Sequence, residues 1–90
     1  MATAETNTDA IELGLRALVW TLAEPRLAMR LLDVTGLDPR DLKVRASDPA
    51  VLAAVLGFLE SHEPDLVACA ETIGVPPAGL IAARERLEAA

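Results

Sequence analysis

Ninety residues leave room for one domain with a single modest core. The net charge of −6 argues against a general nucleic-acid or anionic-membrane binder, and Trp20 and Phe58, the only aromatics, are too few for a base-stacking surface. Cys69 is alone, which excludes an internal disulfide, and the hydrophobic content of 52% raises the expectation of apolar surface covered by a partner or a second copy.

The first ten residues, MATAETNTDA, have neither a basic start nor an apolar stretch. Residues 1–7 read as a disordered tail rather than a signal peptide, and a cytoplasmic location is expected. The domain proper is predicted over 8–90. Thr8 or Asp9 can cap a first helix, with Glu12 as capping-box partner of Asp9. Ile11, Leu15, Leu18 and Leu22 form one apolar row, and Leu13, Ala17 and Trp20 a second, with a weak surface pair between Glu12 and Arg16.

Pro25 breaks that helix and starts another, running to about Val34 and burying Leu27, Leu31, Val34 and one of Met29 or Leu32. Gly36 stops it, and Leu32 and Leu37 around the glycine suit a Schellman ending. Asp38-Pro39-x-Asp41 opens a short third helix carrying Leu42 and Val44. Asp48-Pro49 then opens a fourth, with no charge between Pro49 and Leu59. A helix apolar on all sides is normally buried on all sides, and this one is well short of the about 20 residues that a membrane span requires. It reads as the central core helix, packed on its counterpart Ile11–Leu22, with Gly57 at a close helix approach.

Ser61-His62-Glu63-Pro64 turns into a fifth helix with Leu66, Cys69, Ala70 and Ile73 on one face. Gly74-Val75-Pro76-Pro77 leads to a last helix with Leu80, Ile81 and Leu87 inward and Arg84, Glu85, Arg86 and Glu88 outward. The fold class is all-α, a compact bundle of about six short helices. Thr35–Leu42 and Ile73–Leu80 share a Gly-x-x-Pro frame, and Glu24-Pro25 has a counterpart in Glu63-Pro64. Either the chain is two pseudo-equivalent three-helix halves, or this is how any tight helix–helix turn is written.

No catalytic, cofactor-binding or metal-ligating set emerges. His62 and Cys69 are seven residues apart, without the three or four compact ligands that zinc requires. The Gly-x-x-Pro turns lack the glycines, lysine and free N–H groups of a phosphate loop. The small–Gly–apolar skeleton around Gly36 and Gly74 matches a helix-turn-helix. The start of its last helix, residues 76–83, offers no Arg, Lys, Asn or Gln to base edges; the short third helix offers Arg40, Lys43 and Arg45, though Asp38 and Asp41 would meet phosphates there. Charge is unevenly placed: residues 26–45 carry five basic residues against three acids, and 46–83 carry five acids and no Lys or Arg.

The run from Thr35 to Ala46, TGLDPRDLKVRA, followed by SDPAVLAAVLGFL from Ser47 to Leu59, resembles a family of short alphaproteobacterial proteins known as domain of unknown function 3572. The resemblance covers about residues 8–88, and the turn at Gly74–Pro77 fits it. It implies a small cytoplasmic helical domain and brings no activity or site residue with it. The expected function is non-enzymatic binding of another protein or of itself. The alternative is a DNA-binding regulator using Arg40, Lys43 and Arg45, and a third reading is a small-molecule pocket near Trp20.

Overall fold

Five prolines set the helix starts. In the computed structural model, which describes residues 2–89 and side chains from Asp9 onward, α1 spans Ala2–Leu22 and α2 Pro25–Thr35. They are followed by α3 (Pro39–Val44), α4 (Pro49–Glu60), α5 (Glu63–Ile73) and α6 (Pro77–Ala89). Each helix after α1 has a proline at its first or second position, where the missing N–H has no intrahelical partner to lose. No strand occurs among the described residues, and the fold is all-α.

The cap expected at Thr8 or Asp9 is not where α1 begins: the helix runs through both from Ala2, and no Gly or Pro in that stretch would stop it. The tail expected over residues 1–7 falls outside the residues whose side chains are described. Asp38 caps α3 as predicted, accepting from the N–H groups of Arg40 (2.7 Å) and Asp41 (3.1 Å), with Asp41 reaching back to complete a capping box. Asp48 caps α4, accepting from Ala50 N–H at 2.9 Å. Gly36 and Gly74 both adopt left-handed backbone, φ 72° and 90°, which glycine reaches without a Cβ clash.

The two glycine stops close differently. Gly36 N–H bonds Leu32 O, while Leu37 N–H is taken by the Thr35 hydroxyl at 3.3 Å, so the first stop is a simple left-handed cap and not the predicted Schellman motif. At the second stop Val75 N–H reaches Ala70 O at 3.0 Å, the long-range bond typical of a Schellman motif. The halves diverge further at their ends. α3 is six residues long and buries only Leu42, whereas α6 is thirteen long and buries Leu80, Ala83 and Leu87. The last helix is therefore a core element, unlike its expected counterpart.

α4 packs against α1, α2, α5 and α6, and seven of its twelve residues are buried. Its centrality is as predicted, but its burial is one-sided. Ala50 and Ala54 are exposed and Gly57 is half-buried. The molecule is 17 Å through its thinnest direction, about two helix layers, so a central helix keeps one open face.

On α1 the deepest residues are Ala10, Gly14, Ala17, Leu18 and Thr21, while Ile11, Leu13, Leu15 and Trp20 are half-buried and Leu22 is exposed. The contact face is thus a row of small residues beside the predicted leucine rows. The buried Thr21 hydroxyl is satisfied by donating to Ala17 O at 2.8 Å. A Cβ built on Gly14 would stand 2.9 Å from Leu52 Cβ, so this is the glycine that permits close helix approach. A Cβ on Gly57 would meet only Arg84 Cδ, at 3.7 Å, which corrects the sequence-based placement. Val34, predicted inward, is 70% exposed, and Val44 beside the buried Leu42 is 84% exposed; of the alternatives Met29 and Leu32, Leu32 packs against the core and Met29 is outward. α3 is too short to turn more than Leu42 inward, and the chain bends away at Gly36 without covering Val34.

The two helical glycines make opposite predictions. Gly14→Ala should lose about 1–2 kcal/mol in urea unfolding, because overpacking against Leu52 exceeds the gain in helix propensity. Gly57→Ala should gain about 0.5–1 kcal/mol from helix propensity alone.

Candidate functional site

The α4 face left open by the two-layer packing lies at the bottom of a groove. Ala50, Ala54, Gly57 and Phe58 form its floor, Val34 and Leu37 its wall, and Arg45 and Ser61 its ends, enclosing about 450 Å³. A second hollow of about 590 Å³ shares Ala50, Ala54 and Gly57 and is bounded by Pro49, Leu87 and Glu88. Both hollows lie along the same uncovered face of α4.

Arg40, Lys43 and Arg45 all sit on the exposed surface of α3 or its C-terminal cap, and of the three Arg45 lines the groove. Arg45 is not free: Nη2 and Nε donate to Asp48 Oδ2 at 3.1 and 3.3 Å. Arg40 and Lys43 make no ion pair among the described residues. The carboxylates of Asp38, Asp41 and Asp48 stand among these three cations and serve as helix caps. The Ala50 N–H bond, aided by Arg45, holds the Asp48 carboxyl below its ordinary value of 3.8.

Arg84 was predicted to face water. It instead crosses from α6 to α4, donating through Nε to Glu60 and through Nη1 to Glu88 at 2.7 Å. Arg84 and Glu60 side chains are each only 22% exposed, and both acids push the Arg84 pKa further up. This is the one ion pair between helices distant in sequence among the described residues; the others join positions three or four apart. Nothing in the local pattern of α6 marks it, because Glu60 lies 24 residues away.

The His62–Cys69 combination does not form a reactive pair. Cys69 is fully buried on the core face of α5, and burial pushes its thiol up to about 11. His62 is exposed at the N-cap of α5 and pairs through Nδ1 with Asp65 Oδ2 at 2.8 Å. No group of three metal-ligating side chains occurs among the described residues. Trp20 is half-buried and borders a separate hollow of about 260 Å³ between α1, α2 and α5.

Two outcomes follow. Asp48 has a depressed folded pKa, so its stabilisation is full above the unfolded value and is lost as pH falls through the folded one. Wild type should therefore lose stability relative to Asp48→Asn below about pH 4 in urea unfolding measured from pH 7 to pH 2. Cys69, buried and protonated, should resist iodoacetamide in the native state and react at the rate of unfolding in urea.

No curated protein and no solved structure matches the chain. The family model described as protein of unknown function (DUF3572) matches residues 7–90. The chain belongs to that family.

Proposed function

We propose that the domain is a non-enzymatic protein-interaction module that receives a helix of another protein, or of a second copy, in the groove over α4. The observation that carries this reading is the exposed apolar lining of that groove, with Val34 70% exposed above a floor of Ala50, Ala54 and Gly57. Inside the fold, α1 carries a comparable buried row of small residues, Ala10, Gly14, Ala17 and Thr21, spaced four, three and four apart, and Gly14 is where it comes close to Leu52 of α4. Small residues at that spacing let a helix backbone come near, and bury apolar area without a large side-chain entropy cost. The exposed face of α4 repeats the pattern at Ala50, Ala54, Gly57 and Ser61 with no helix upon it. Arg45 lies at the rim of the groove, with Arg40 and Lys43 exposed on the same short helix and its cap, and rim charge selects partners more than it adds affinity.

The DNA-binding alternative has less support. α3 is six residues long, Arg45 is held by Asp48, and three carboxylates surround the three cations. In the Gly74 unit the two helices bend by 98°, but α6 turns Leu80, Ala83 and Leu87 into the core and Arg84 onto Glu60.

Val34→Glu and Ala54→Arg alter only groove residues that are exposed, and each should change stability by no more than about 0.5 kcal/mol. Light scattering and pull-down from native cells should show a partner or self-association with wild type that both variants lose. A wild type that is monomeric and retains no partner, or variants that retain the same one, contradicts the proposal. Steeply salt-dependent retention on DNA that Arg40→Gln and Lys43→Gln abolish would favour the alternative.

A further inference from the structure

The hollow beside Trp20 is bordered by four charged groups that do not pair with one another. Arg26 and Arg30 stand one turn apart on α2, Glu24 stands at the α1–α2 turn, and Asp65 faces them from α5. Among the described residues neither arginine makes an ion pair or a side-chain hydrogen bond. Glu24 occupies the N-cap of α2, yet its side chain makes no cap bond. Asp65 gives one oxygen, Oδ2, to His62 Nδ1 and keeps the other free. Like charges at i and i+4 on a helix are mildly destabilising unless an opposite charge answers them. Here the four groups remain apart around a hollow of about 260 Å³.

We infer that this hollow binds a small zwitterion, an α-amino acid with an apolar side chain. A guanidinium pair one turn apart matches a carboxylate, which it can hold with charge-assisted hydrogen bonds. The free oxygen of Asp65 and the unused carboxylate of Glu24 match an ammonium group, and the indole supplies an apolar wall that also attracts a cation. A simple anion would meet two carboxylates on entering, and a simple amine would meet two guanidinium groups. Only a molecule carrying both charges satisfies both sides. The volume lies just below the range for drug-sized ligands, which suits a free amino acid.

Trp20 is the only tryptophan and the chain has no tyrosine, so emission excited at the indole edge reports directly on the site. Full-length protein is titrated with L-phenylalanine, with 3-phenylpropionate, which lacks the ammonium, and with phenethylamine, which lacks the carboxylate. L-phenylalanine should give a saturable one-to-one change, and each analogue should bind about tenfold more weakly or worse. Arg30→Gln and Glu24→Gln, both at exposed positions, should each weaken L-phenylalanine by a similar factor while the thermal midpoint stays unchanged. Val34→Glu, in the α4 groove, should leave this binding intact, which separates this site from the proposed docking surface. Absence of saturation up to the solubility limit of the amino acid would overturn the inference. So would an analogue that binds as well as L-phenylalanine, or Arg30→Gln and Glu24→Gln variants that bind as wild type.

Discussion

The contact between Gly14 and Leu52 is the constraint on which the arrangement of the other helices depends. With only hydrogen at its α-carbon, Gly14 lets α1 come near enough for Leu52 to be fully buried between the helices. A Leu52 left exposed would forfeit about 2–3 kcal/mol of hydrophobic stabilisation, a large share of what a domain this size holds in reserve. Once α1 and α4 are close, α6 can pack against both and bury Leu80, Ala83 and Leu87. The Arg84–Glu60 pair then ties α6 to the far end of α4. α2 and α5 flank this three-helix centre, and α3 hangs at its edge by Leu42.

Element positions were legible because proline and glycine act locally. Pro25, Pro39, Pro49, Pro64 and Pro77 start helices, and Gly36 and Gly74 stop them, through φ restrictions that hold whatever the tertiary context. The all-apolar composition of α4 likewise marked it as central without any knowledge of its neighbours. What could not be read was which side of each helix meets which other helix. Hydrophobic ranking favoured Ile11, Leu15 and Leu22 over Ala10, Gly14 and Thr21, whereas close packing favours side chains that are short. Val34 was placed inward by its spacing from Leu27 and Leu31, and spacing does not reveal that no helix lies over that turn. The Glu60–Arg84 pair and the convergence of Arg26, Arg30, Glu24 and Asp65 beside Trp20 depend on tertiary packing, which leaves no trace in local periodicity.

A two-layer fold with an apolar central helix leaves part of that helix open. α4 cannot be covered on all sides by four neighbours arranged in two layers, so its remaining face is composed of residues small enough to tolerate water. Ala50, Ala54 and Gly57 expose little apolar area each, yet together they leave a surface on which another helix can lie close. The same compromise explains the high apolar content in a chain of net charge −6: much of it is alanine distributed over surfaces that tolerate either water or a partner. The one thiol is buried, and the one histidine is exposed and paired with Asp65.

If the α1–α4 contact is what the fold depends on, α4 should open only when the whole domain opens. Native-state hydrogen exchange, measured amide by amide across increasing urea, tests this most directly. The buried amides from Val51 to Leu59 should exchange with the free energy and urea dependence of global unfolding, while those of α3 exchange first. Exchange of α4 through a smaller opening, with α1 and α6 still protected, would contradict the account.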